Sequence, residues 1–516
     1  MTMTSISKIR RLHQLLACAC VLALAVLGCG RGDDRARSKQ STVTVLSTEE
    51  GIDERSWVTW TISSQFLVFL PLVTWDENGE IEGRLARSWE HSSDYRTWTV
   101  HLRTDVRWHD GVPVTAHDIE FTLELWNHLE MQSFSMTVLD DSTYTITYHK
   151  GLRMQGSPLD SWTVFYPKHL LENLDPEAFN DWDFWTHPVG NGPYRYVRHV
   201  PKTMIEFEAN PDFVFGTPKI EHVVIKFGAP GQSLTELLSG NVDVSSYVNP
   251  TDLLMLADDP RFEAYYKVSP NAMAAIAWNH RHRLFGDARV RRALTLAIDR
   301  RELHRVLNLP EETPIFDGLM TERQMQRGDI PEAVPYDPER AKQLLDEAGW
   351  IDVDGMRRRE GEAFRFTALT RSDKDLDKAA IYIQAQLRRL GIQMEIRTLE
   401  SGVVEQRMRA GAFEAAISVF TTFGGRFTAL KYFEAIGYTD GRVLALIHEV
   451  EATVNPDERD RLCRAVSSIL KADLPMTLLS PAVFTFVVHR RIRGLSPPGR
   501  VDPLVHMEEL WLEDED

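Results

Sequence analysis

Cysteine is scarce in this chain. Four occur, and Cys18, Cys20 and Cys29 all fall within the first 29 residues, which leaves Cys463 alone in the body. A body with one cysteine has no internal disulfide. Cys463 lies on a helical pattern with no assignable His partner, so it reads as a buried thiol and not as a nucleophile. Net positive charge is absent as well: the formal charge is -17 and the pI about 5.5. That argues against a nucleic-acid binder, which needs clustered Lys and Arg against phosphate. Catalytic signatures are also missing. There is no G-x-S-x-G elbow, Walker A loop, H-E-x-x-H or C-x-x-C pair. No enzyme, cofactor or metal is therefore expected.

What is present is globular. Hydrophobic residues make up 43% and charged residues 26%, which excludes a wholly disordered, collagenous or polytopic membrane protein. At 516 residues the chain is long enough for two or three structural units.

The N-terminus reads as a targeting segment. Lys8, Arg10 and Arg11 form a positive region, and Leu15 to Leu27 is uncharged and apolar. That run is too short to span a bilayer of ~30 Å and suits a signal peptide. Gly28-Cys29 at its end resembles the lipobox of bacterial lipoproteins, in which the Cys is lipidated. The alternatives are an uncleaved anchor, or a cleavage site with an incidental Cys. Residues 1–28 are thus expected to be a signal peptide and 29–42 a lipidated tether. Removal of the signal would take the charge to about -20.

The body alternates strand and helix patterns. Thr97 to Leu102, Tyr144 to Tyr148 and Val223 to Phe227 alternate with period two. Asp287 caps a stretch with Val290, Ala293, Leu294, Ala297 and Ile298 on one helical stripe. Asp337-Pro338 starts another helix that Gly349 stops. Leu376 to Leu390 reads as helix and Gln393 to Leu399 as strand, an α/β signature. His109-Asp110 and His117-Asp118 lack ligand spacing, and the Asp110-Gly111 turn and a Thr115-to-Asp118 cap explain them structurally. His280-Arg281-His282 reads as a solvated loop.

Six blocks then carry a resemblance. They are Leu70 to Asp118, with Gly83-Arg-Leu-Ala-Arg-Ser-Trp89 and Trp108-His-Asp-Gly111; Tyr166-Pro-Lys-His169; Pro188 to Tyr194; Ala209-Asn-Pro211 with Gly216 to Lys219; Leu238 to Asp243; and Val290 to Arg300. In this order the chain resembles the family 5 extracellular solute-binding proteins, receptors of dipeptide, oligopeptide and nickel ABC importers. Most of these residues have scaffold roles, such as turn glycines and packed Trp89, Trp98 and Trp108. The resemblance implies an α/β, two-lobed periplasmic-binding-protein fold (class II, cluster C) with an inserted domain. Lobe I would combine 43–65, 184–267 and 483–516, the insert would be 66–183, and lobe II would be 268–482. Hinge strands are implied near Val268 to Asn279 and Pro481 to Val488.

The implied function is capture of a peptide or other small solute in the interlobe cleft, for delivery to an ABC permease. The receptor would be a monomer in the periplasm or on the outer cell-envelope face, held to a membrane by its lipid. The alternative is a signalling or chaperone-like receptor on the same scaffold without a permease. The chain departs from the peptide-binding pattern after the Phe413-to-Ile417 strand. Many peptide binders place a Trp and an amine-pairing Asp there. Here the chain reads Ser418-Val-Phe-Thr-Thr-Phe-Gly-Gly-Arg-Phe-Thr428. A buried ammonium without a carboxylate is costly, so an anionic or neutral solute is favoured unless Glu49 or Glu50 supplies the acid. The expected ligand-binding residues are Glu49, Trp278, Asn279, Phe420, Thr422, Phe423 and Arg426.

Overall fold

The computed structural model describes residues 41–47, 64–76, 81–128, 134–148, 164–229, 231–246, 248–371, 376–421, 429–453, 455–495 and 504–513. Expectations for the signal peptide, Cys29, Glu49, Thr422, Phe423 and Arg426 lie outside these residues.

Among them, one sheet of ten strands runs through the molecule. Its order is Gln393–Leu399, Arg365–Arg371, Ala415–Thr421, Phe262–Trp278, Met476–His489, Val244–Ser246, Thr42–Ser47, His222–Phe227, Met204–Ala209 and Tyr194–Val200. The two long central strands are antiparallel and belong to both halves. Residues 262–269 pair with 482–489, and 273–277 pair with 476–481. Between Ser269 and Met273 the register breaks. Pro270 falls in this gap and Pro481 stands opposite Met273. Proline has no N–H, so neither position can donate to the ladder where the halves meet.

The first half has a shared core. Val43, Val45, Val223 and Ile225 from the sheet pack with Phe69, Trp98, Trp108, Tyr166 and Trp185 of the segment 66–186. That segment carries its own four-stranded sheet, in the order Ala86–His91, Thr97–Leu102, Thr143–Tyr148, Phe134–Asp140. A loop locks it in place. Asn191 and Gly192 donate their backbone N–H groups to the Val68 carbonyl at 3.0 and 2.8 Å, and Asn191 Oδ1 accepts from the Leu70 N–H at 2.9 Å. A Cβ on Gly190 or Gly192 would overlap the Val68 backbone, so this approach needs glycine.

The second half buries its strands on both faces. Met273, Ala275 and Ala277 face one core with Phe420, Phe433 and Val466, while Ile276 and Trp278 face another with Phe285, Trp350 and Phe366. This is period-two alternation between two apolar layers, which makes the strands read as near-continuous apolar runs. The helices behave as their caps predict. Asp287 accepts from the Arg289 N–H to start Ala288–Leu296, and Asp337 accepts from the Arg340 N–H to start Pro338–Glu347. Gly349 follows with φ +82°. Leu376–Arg388 and Gln393–Leu399 form as read.

One local reading changes. Ala415–Thr421 continues past Ile417, so Phe420 belongs to a strand and not to the loop after it. The 280–282 segment is a turn with Arg281 exposed, as read, but it is also tied to its neighbours. His280 contacts the Pro475 carbonyl at 3.2 Å, and Arg281 donates to the Glu434 and Ala435 carbonyls at the end of a helix. Its charge is used to satisfy orphan helix carbonyls.

Candidate functional site

Strand direction decides where a cleft can form. Thr42–Ser47 is parallel to His222–Phe227 and Val244–Ser246, and Val244–Ser246 is antiparallel to the returning strand Met476–His489. All three therefore run toward the second half. Arg365–Arg371, Gln393–Leu399 and Ala415–Thr421 are mutually parallel, and Ala415–Thr421 opposes Phe262–Trp278. They run toward the first half. The carboxyl ends at Ser47, Phe227, Ser246, Arg371, Leu399 and Thr421 thus converge on the proline-marked crossing. Open α/β sheets bind ligands outside the carboxyl ends of their strands.

On the second-half side, Phe420 is buried and meets the Tyr432 ring edge to face, with centroids 4.7 Å apart. Tyr432 Oη accepts from the Thr421 N–H at 3.5 Å, and burial raises the pKa of its phenol. Beside them is a small pocket, partly open to solvent, bordered by Met273, Leu319, Phe420, Tyr432, Met476 and Leu478. Asp317 also borders it. Its carboxylate is held by Arg300 at 2.8 and 3.0 Å, and both side chains are almost fully buried. Sequence reasoning missed Tyr432, Met273 and the Arg300–Asp317 pair. The Val290-to-Arg300 block contains Arg300, but no spacing rule links it to Asp317.

The expected site residues do not all come together. Phe420 lies near the crossing end of the second-half strands. Trp278 pairs with Ala415, six residues back from Thr421, or about 20 Å along the strand at its usual rise. It also faces the opposite core, fully buried, with its indole N–H donating to Thr477 Oγ1 at 3.0 Å. Asn279 donates to the Gly411 and Phe413 carbonyls and accepts from the Arg281 N–H. These two side chains hold the far end of the lobe together. The reason is the length of the crossing strand: Met273 lies next to the register break, and Trp278 is the strand's last residue.

Among the described residues, His506, Glu508 and Glu509 bring metal-type donors together. Arg84 already pairs with Glu508 and approaches Glu509 to 3.7 Å, so one of the two negative charges is offset and Glu508 is engaged without a metal. Cys463 is fully buried, and burial pushes its thiol up to about 12, far from a reactive thiolate.

Residues 80–443 match the family described as bacterial extracellular solute-binding proteins, family 5. The chain belongs to that family. A Brucella abortus relative named an ABC transporter peptide-binding protein is 29% identical over 358 residues, 66% of this chain and 64% of the relative. The match thus spans just under two thirds of that relative's length. The oligopeptide-binding protein AppA of Bacillus subtilis, solved with a nonapeptide, superposes with a TM-score of 0.69 at 21% identity, over 92% of this chain and 99% of AppA. NikZ of Campylobacter jejuni, solved with Ni(L-His), gives 0.71 at 22%, over 92% and 99%. At these identities the likeness is one of fold: the family 5 two-lobed periplasmic-binding-protein architecture, with its inserted domain.

Proposed function

We propose that this chain is the extracytoplasmic receptor of an ABC-type importer, and that it captures a small solute between its lobes and passes it to a membrane permease. The observation that carries this reading is the convergence of six strand ends on one joint formed by two crossing strands. A hinge there lets both rows of strand ends close over a solute, and the solute's differential affinity for the closed state drives the closure. The relatives' names point the same way, and the family consists of binding proteins. We place the lobe boundaries at the register break, near 270 and 481, with the segment 66–183 inserted in the first lobe.

The solute is anionic or neutral. Arg426 takes its anionic group through a bidentate guanidinium fork, Phe420 and Phe423 supply apolar walls, and Thr422 and Glu49 complete the polar contacts. Cys29 carries a lipid that holds the monomer to a membrane on the extracytoplasmic side. No helix of the described residues is long and apolar enough to cross a membrane.

Native mass spectrometry of protein purified from its own source tests the reading. The expected result is a bound small solute that calorimetry shows to rebind after removal. In Arg426→Ala, rebinding should weaken by about 1.5–3 kcal/mol, the worth of a charged hydrogen bond. Failure of every co-purified or candidate solute to bind would contradict the proposal.

A further inference from the structure

The lobes are joined by more than the crossing strands. After the helix Arg300–Val306 the chain enters a left-handed residue, Asn308, at φ +54°, and the Leu309 N–H bonds the His304 carbonyl. A tight turn follows, closed by the Thr313 N–H on the Pro310 carbonyl at 3.0 Å. Arg301 braces this turn by donating to the Glu311 and Thr313 carbonyls at 3.0 and 3.2 Å. The segment is built firmly into the second lobe, because His304 contacts the Leu479 carbonyl and Thr313 is fully buried.

Two side chains on this braced segment reach the first lobe. Asn308 Nδ2 donates to Thr251 Oγ1 at 3.2 Å, and Glu312 Oε2 accepts from Tyr266 Oη at 2.9 Å. Thr251 is in the first turn of Pro250–Ala257, a helix packed on the first-lobe core through Leu253 and Leu256. Tyr266 pairs with Thr485 on the first-lobe side of the register break. The two bonds therefore anchor to different first-lobe elements, and both sit outside the strand ladder.

We propose that residues 308–312 form an inter-lobe strap that biases the hinge toward the lobe arrangement in this structure, and so tunes how readily the receptor changes state. The proposal rests on the two-lobed hinge reading given above. Rotation about the 269–273 and 481–482 joint moves Thr251 and Tyr266 relative to Asn308 and Glu312, because each pair is rigidly held in its own lobe. A hinge rotation must then break these bonds, and their loss lowers the preference for the present state. Exposed hydrogen bonds of this kind contribute modestly, and one with a carboxylate acceptor contributes more, so removing both should shift the population ratio about three- to tenfold.

The test uses spin labels on the exposed positions Leu139→Cys and Ile381→Cys, one on each side of the joint, in ligand-free protein. Distance distributions are compared among the otherwise unchanged protein, Tyr266→Phe, Asn308→Ala and the double variant, with Glu311→Gln as a neighbouring control. Melting curves confirm folding. The expected result is a redistribution in Tyr266→Phe and Asn308→Ala, larger in the double variant and absent in Glu311→Gln. In a separate sample, a Thr251→Cys/Asn308→Cys disulfide should narrow the distribution. Multiple distances that none of the variants redistributes would overturn the strap and leave the hinge standing. A single narrow distance in every sample, with or without bound solute, would overturn both.

Discussion

Arg300 and Asp317 form a bidentate ion pair, with 3% and 2% of their side chains exposed. Each charge has further partners: Arg300 donates to the Leu478 and Val334 carbonyls, and Asp317 accepts from the Val334 N–H at 2.7 Å. The pair fastens the 314–334 segment to the second-lobe sheet beside the pocket at Phe420.

Breaking one side of this pair leaves a buried charge uncompensated. Arg300→Met or Asp317→Leu alone should therefore cost about 3–5 kcal/mol of stability, measured by denaturant unfolding. The double replacement should cost less than the sum of the two, because no charge is then stranded. Strict additivity would show that the two residues do not act as a pair.

Acid should destabilise the fold before it reaches the arginine-paired carboxylates. His109 Nδ1 accepts from the Gly190 N–H at 3.2 Å, so the ring proton sits on Nε2 and is donated to the Gly192 carbonyl at 3.1 Å. Protonating Nδ1 would set it against that N–H. Burial, with the Arg195 charge adding to it, holds His109 down to about 4, against an ordinary 6.5. Burial does the same to His280, with Arg291 adding. The unfolded chain then binds protons below pH 6.5 that the folded chain refuses, so stability falls as pH drops from about 6.5 to about 4. For His109 the full loss is roughly 3 kcal/mol. Asp259 and Asp440, held near 2 mainly by their arginine neighbours, act only below that window. In urea unfolding at pH 7.5, 6, 5 and 4.5, His109→Gln should show a flatter decline than the unaltered protein. An identical slope would remove His109 from the account.

Local physics made much of the fold legible. Asp287 and Asp337 caps, the Gly349 stop and the strand Gln393–Leu399 could be read because each rests on neighbours within a few residues. The block Pro188 to Tyr194 signalled a tight turn, and the structure adds the reason for its glycines, the backbone of Val68 lying against them. The site was less legible. Trp278 and Phe420 both lie on strands that reach the joint, and only three-dimensional register shows that they sit at opposite ends and on opposite faces. Period-two alternation between two apolar layers looks the same from either side, so the sequence carried no mark of which layer faced the pocket. The strap was hidden for a similar reason. Asn308 and Glu312 resemble ordinary loop residues until Thr251 and Tyr266 are seen beside them.

The central claim is that two lobes close on a solute about the proline-marked joint. Small-angle scattering tests it most directly, using the body of the protein with and without saturating amounts of the solute found by native mass spectrometry. The account predicts a smaller radius of gyration with solute, at unchanged molecular mass. A profile that does not change at saturation would contradict it.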